Sequence, residues 1–371
     1  MLSRMKTRWL AGVLVLGLSL DVSAQLEDSN AKTKGACEKY LKTPLPAEAS
    51  LVAAPKAWPE CNSYRLEAGI GVKQDYPAAR QCAWAERRAI AADLGPRFSV
   101  ASIFGGSAML TVLYANGEGV ERNIPLAIRF SCEQGWAPAE FEGRVEHLES
   151  LAEKPASPRN KFSFCDDITS GAMGGFCATY RQEIQDLANA GDLRVLSSQW
   201  PEAQQTSLRV LVEAEQAYAK AHGEGEIDLS GTARAAEEMD AEQQLRNDFL
   251  AAIKSFEKAA QPQGNARDFT NVDAALNRLY GKILANAEKH KADFGAVQPD
   301  GIRSAERKWL KYRDTWIAFA RMRYQSVPAA AWLTLLTDDR IAVLKGVGCE
   351  MGIDDAACGD EEDERAPRPL P

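Results

Sequence analysis

The sequence predicts an all-α protein, tied by disulfides, in which a short helical-hairpin segment precedes two three-helix units. Three observations carry this. Apolar residues recur at helical spacing through most of residues 165–347, a paired-glycine turn occurs twice in one residue order, and eight cysteines follow an export-type N-terminus.

Arg4, Lys6 and Arg8 precede the apolar run Trp9–Leu20, and Val22-Ser23-Ala24 supplies a small-residue exit. This is the order of charge, apolar length and cleavage site of a secretory signal peptide, residues 1–24. The run is shorter than the ~20 residues a membrane-spanning helix needs. No later stretch is long and apolar enough to cross a bilayer, so no membrane insertion is expected after cleavage. The mature chain is expected in an oxidising compartment, most simply a periplasm.

Cys37, Cys61, Cys82, Cys132, Cys165, Cys177, Cys349 and Cys358 then read as up to four disulfides. Metal binding would favour C-x-x-C pairs or nearby histidines, and His147, His222 and His290 lie far from the cysteines. No metal or cofactor is expected. Proximity pairs Cys165–Cys177 and Cys349–Cys358, and elimination leaves Cys37–Cys61 and Cys82–Cys132. The formal charge is −8, and it becomes −10 once three basic residues and Asp21 leave with the signal. Such a chain is a poor ligand for nucleic acid or anionic lipid and a fair one for cationic proteins.

Residues 25–154 form the first expected domain. Gly69-Ile70-Gly71-Val72 followed by Asp75, Pro77 and Ala79 is echoed 48 residues later by Gly117-Glu118-Gly119-Val120, Asn123, Pro125 and Ala127. Glycines permit the φ > 0 turn between helices, Asp75 or Asn123 caps the next helix, and proline is tolerated in its first turn. Over about residues 61–140 this resembles the Sel-like repeat, a relative of the tetratricopeptide hairpin, which implies a protein-binding scaffold. Two repeats are fewer than the three a solenoid usually needs, so this part is expected to lean on its disulfides or on the next domain.

Pro155–Pro158 reads as a linker. Helices are expected over 180–196, 202–221, 232–258, 272–289, 301–324 and 328–345, with His222–Glu226 closing the second. They divide into units at 165–262 and 268–347. Ala214-Glu215-Gln216-Ala217-Tyr218 aligns with Ala305-Glu306-Arg307-Lys308-Trp309 at an offset of 91, which suggests a duplication whose first copy is degenerate. The tail 348–371, with eight acids and two arginines from Glu350 onward, is expected to be disordered.

No G-x-S-x-G elbow, Walker loop or H-E-x-x-H is present, and the histidines are scattered, so no enzyme is expected. Leu276-Asn277-Arg278-Leu279-Tyr280, then Ala305-Glu306-Arg307-Lys308-Trp309 with Tyr312-Arg313-Asp314, then Leu336-Thr337-Asp338-Asp339-Arg340 resemble the signature of the LprI-like lysozyme-inhibitor family. Thr315-Trp316 stand where that family commonly has a cysteine. The resemblance implies a periplasmic inhibitor or immunity protein that binds a lysozyme-like peptidoglycan hydrolase, or another cationic envelope protein.

Trp309, Tyr312, Trp316 and Phe319 fall on one helical stripe and read as core, while Arg313 and Asp314 fall outside it and are candidates to cap, pair or contact a partner. Glu224, Glu226 and Asp228, in an expected glycine-flanked loop, are the candidate acidic contacts. The alternative reading is an envelope scaffold that binds its partner through the hairpin repeats.

Overall fold

The computed structural model describes residues 30–353, apart from Val52, Ala54, residues 95–98, Trp136, residues 259–260 and Phe294. The expected signal segment 1–24 and most of the acidic tail lie outside the described residues. All described elements are helical: α1 Ala31–Tyr40, α2 Glu48–Leu51, α3 Ser63–Ala68, α4 Tyr76–Ala91, α5 Val100–Phe104, α6 Ser107–Asn116, α7 Ile124–Cys132, α8 Pro138–Ala152, α9 Gly171–Ser197, α10 Glu202–Glu226, α11 Arg234–Glu257, α12 Ala266–His290, α13 Pro299–Arg323 and α14 Ala329–Glu350, plus one 3-10 turn at Pro158–Asn160.

The two glycine turns fold alike. Gly69 and Gly117 end α3 and α6 in the left-handed conformation. Ile70 N–H bonds the Arg65 carbonyl and Asp75 N–H the Leu66 carbonyl, while Glu118 N–H bonds Leu113 and Asn123 N–H bonds Tyr114. Each bond of the second turn therefore recurs 48 residues after its counterpart. Asp75 and Asn123 then cap α4 and α7 by accepting from Ala78 and Leu126 N–H. Gly119 has a further constraint, because a Cβ there would lie 2.6 Å from Tyr76 Cβ, where the second turn packs on the start of α4.

These hairpins do not close a core by themselves. Trp84, Leu110, Leu113, Phe130, Phe141 and Leu148 share a cluster with Phe162, Phe164, Met173 and Cys177 from the following segment. Arg144 and Glu140 form a buried ion pair at 3.2 Å beneath Phe164, and Glu140 also accepts from Ser170 Oγ at 3.0 Å. The N-terminal third is thereby joined to the start of α9.

Two expected disulfides are corrected. Cys37 bonds Cys132 rather than Cys61, and Cys61 bonds Cys82. Pairing by sequence order missed that α1 returns across the hairpins to lie on α7, while the Cys61 segment enters α3 beside α4. Cys165 bonds Cys177. Cys349 is also disulfide-bonded, and Cys358 lies outside the described residues.

The last six helices repeat a plan. α9, α10 and α11 begin 95, 97 and 95 residues before α12, α13 and α14 (Gly171 to Ala266, Glu202 to Pro299, Arg234 to Ala329). α9 pairs with α11 as α12 pairs with α14, and α10 and α13 run antiparallel between them. Trp200 meets Phe319 at one end of that central pair and Gly225 meets Gly301 at the other. Two cores result, and each draws on both halves. Trp200, Leu211, Phe249, Phe256, Trp316 and Trp332 fill one. Tyr218, Leu276, Ile283, Ile302, Trp309 and Leu344 fill the other.

Candidate protein-binding site

α10 runs through Glu226, so His222–Glu226 is helical rather than the expected loop. Its glycines serve packing. A Cβ on Gly223 would lie 2.8 Å from Glu242 Cγ and 2.9 Å from the Glu238 carbonyl, and one on Gly225 would lie 2.8 Å from the Gly301 backbone. Without side chains at these two positions, the end of α10 wedges between α11 and α13.

Within that wedge sits an ion cluster. Arg340 Nη1 donates to Glu226 Oε2 at 2.8 Å and Nη2 to Oε1 at 2.6 Å. Arg340 Nε and Nη2 also reach Glu306 Oε2 at 3.1 and 3.0 Å, and Nη1 reaches Tyr218 Oη at 3.1 Å. His222 Nδ1 lies 2.9 Å from Glu226. Burial pushes the Glu226 carboxyl up, but the Arg340 charge and the hydrogen bonds from Arg340 and His222 outweigh it and hold the group below the usual range. Burial raises Glu306, against the pull of Arg340.

Glu226 is fully buried, so its expected role as a contact to a partner is corrected: its charge is neutralised inside the protein. The sequence hid this because Gly223 and Gly225 resemble turn glycines and Arg340 lies 114 residues away.

The surface above the cluster is acidic. Glu224 is exposed and pairs with Lys220 at 2.9 Å. Asp228 follows the helix and accepts from Ser230 N–H at 2.8 Å. A cleft of about 540 Å³ opens beside it, and among the described residues its charged lining is Asp228, Glu237, Asp240 and Glu350, with no basic side chain. Burial lifts the Glu350 carboxyl, the Asp228 N–H and His222 draw it back, and the charges of Asp228 and Glu237 lift it again. An approaching cation would relieve the repulsion that Asp228 and Glu237 exert on Glu350. Glu237, Asp240 and Glu350 could not be assigned to this patch from sequence, since α11 and α14 reach it only by packing.

Arg313 and Asp314 lie elsewhere. They pair with each other at 2.9 Å, and the Arg313 guanidinium covers the Trp309 ring at 5.3 Å. Twelve residues of α13 separate Arg313 from Gly301, roughly 18 Å at 1.5 Å per residue. Trp309, Trp316 and Phe319 are core residues. No group of three metal-ligating side chains occurs among the described residues, and none of their cysteines is free. No described helix is long and apolar enough to cross a membrane.

The signature residues Glu306 and Arg340 thus meet in three dimensions, from α13 and α14. Residues 257–344 match the family model described as lysozyme inhibitor LprI. The LprI match takes in the end of α11, all of α12 and α13 and most of α14, and it contains Glu306 and Arg340 but not Glu226. No curated protein and no solved structure matches the chain.

Proposed function

We propose that this protein is an exported inhibitor of a lysozyme-like peptidoglycan hydrolase and that it engages the enzyme through the acidic end of the helical bundle. The observation that carries the reading is the LprI match over 257–344. Three features support it: the net negative charge, the disulfides suited to an oxidising compartment, and the carboxylate cleft beside α10 and α14.

Lysozymes are mostly cationic, so complementary charge speeds encounter and fixes orientation, with an effect that salt screens. Glu224, Asp228, Glu237, Asp240 and Glu350 form the proposed contact surface, and the buried Arg340 cluster holds its helices in place. The Arg313–Asp314 pair is a second, separate candidate contact.

Binding of the oxidised protein to a cationic lysozyme tests this by calorimetry at two salt concentrations. Replacing Asp228, Glu237 and Asp240 by lysine is expected to weaken the complex at least tenfold at low salt. Asp314→Lys separates the two patches. Affinity unchanged by the triple reversal would remove the acidic cleft from the interface.

A further inference from the structure

The N-terminal hairpins carry a second set of buried and half-buried donors, which the bundle's proposed role does not use. Arg80, Trp84 and Arg88 recur every four residues along α4 and so share one face. That face, with Tyr114 of α6 and Arg129 of α7, is crossed by residues 41–51 of the chain's own lead-in. Glu48 Oε1 accepts from Trp84 Nε1 at 3.0 Å and from Tyr114 Oη at 2.7 Å. Arg80 Nε lies 3.2 Å from Oε2, as a charge contact rather than an aligned hydrogen bond. Arg88 donates to the Ala49 carbonyl at 2.7 Å, and Arg129 donates to the carbonyls of Leu41 and Thr43. Trp84 and Tyr114 are 2 % and 3 % exposed, so both need an acceptor here.

The lead-in itself is only partly buried, with Leu45 and Ala49 resting on the edge of the core. None of residues 42–51 is buried, whereas Cys37 just before them is fully buried and bonded to Cys132. Beside Glu48, Tyr114 and Leu126 an open cleft of about 560 Å³ remains. A segment with few buried contacts opens locally at low cost, and the disulfide would keep α1 in place while it did.

We propose that this groove is a binding site for an extended acidic peptide of another protein, held closed by Glu48 acting as an internal competitor. The partner's carboxylate takes the place of Glu48 between Trp84, Tyr114 and Arg80, and Arg88 and Arg129 take its backbone carbonyls. A tethered competitor acts at an effective concentration in the millimolar range, so the closed groove admits only partners that bind it well or that reach it when the lead-in opens.

The test uses the full oxidised chain and a fluorescent peptide with the sequence of residues 41–51, followed by anisotropy. Glu48→Ala is expected to bind the peptide at least tenfold more tightly than the wild type. A peptide carrying glutamine in place of its glutamate should lose at least tenfold, and Arg80→Ala added to Glu48→Ala should lose a similar factor. A second variant, with residues 42–51 replaced by a Gly/Ser stretch of equal length, empties the groove outright, and its helical circular dichroism reports on folding. If neither folded variant binds the peptide, or if the glutamine peptide binds as well, the proposal is overturned.

Discussion

Removing the Arg340 guanidinium leaves Glu226 and Glu306 inside the bundle without their cation. Breaking a buried pair from one side costs about 3–5 kcal/mol, so Arg340→Met is expected to lower stability by that amount in a denaturant titration. A loss within 1 kcal/mol would mean that water or a rearranged helix supplies the missing partner. Glu215 makes the opposite case. It is 3 % exposed, its Oε1 has no hydrogen-bond partner, and burial lifts its carboxyl to about 8, against the pull of Arg246. The unfolded chain ionises this group near 4.5 and the folded chain not until about 8, so its proton stabilises the fold relatively more as pH falls between those values. Glu215→Gln is therefore expected to raise stability by a few kcal/mol at pH 8, with the gain shrinking to nothing near pH 4.5; a variant destabilised at pH 8 contradicts this. Neither behaviour was legible in the sequence, where Glu215 and Glu306 align as equivalent glutamates. The aromatic stripe at Trp309, Trp316 and Phe319 was legible, because its spacing alone places it on one helix face.

At the scale of elements, six long helices of the C-terminal part are where apolar periodicity puts them. α9 and α10 run well beyond the expected ends, back to Gly171 and on to Glu226, whereas α11 stops short of its expected bounds at both ends. Both extensions run through glycines. A Cβ on Gly171 would lie 2.0 Å from the Thr232 carbonyl oxygen, and one on Gly175 2.8 Å from Ala235 Cβ, so these glycines record close helix contacts rather than turns. Gly225→Ala is expected to cost about 1–3 kcal/mol through overpacking against Gly301, despite the gain in helix propensity. Gly191, inside α9, meets nothing within 4 Å, and Gly191→Ala is expected to stabilise by roughly 0.5–1 kcal/mol. Equal effects of the two substitutions on the unfolding midpoint would sink the packing argument. The disulfides divide by loop length. Cys37–Cys132 spans 95 residues and Cys165–Cys177 spans 12, so in the loop-entropy model removing the first costs about 5 kcal/mol and the second about 3. Replacing each pair by alanines and measuring unfolding checks the order. The long pairing was hidden from sequence because it depends on α1 packing against α7.

For the whole molecule, the 48-residue echo was visible in the residues, whereas the two C-terminal segments, aligned in sequence at an offset of 91, repeat their helices at 95–97. What could not be read was that each three-helix segment completes the other's core. Tyr218 and Tyr312 stack across the central helix pair at 5.7 Å, and Arg340 of the second segment is held by Glu226 of the first. The acidic end exists only in the assembled bundle, since its carboxylates come from α10, the loop after it, α11 and α14. The measurement that bears most directly on the proposed role is a titration of lysozyme activity on cell-wall substrate with the oxidised mature protein, at low and at physiological salt. The account predicts inhibition that saturates near one-to-one, weakens as salt rises, and falls at least tenfold in potency when Asp228, Glu237 and Asp240 are replaced by lysine. Full activity of several cationic lysozymes at saturating protein would contradict it.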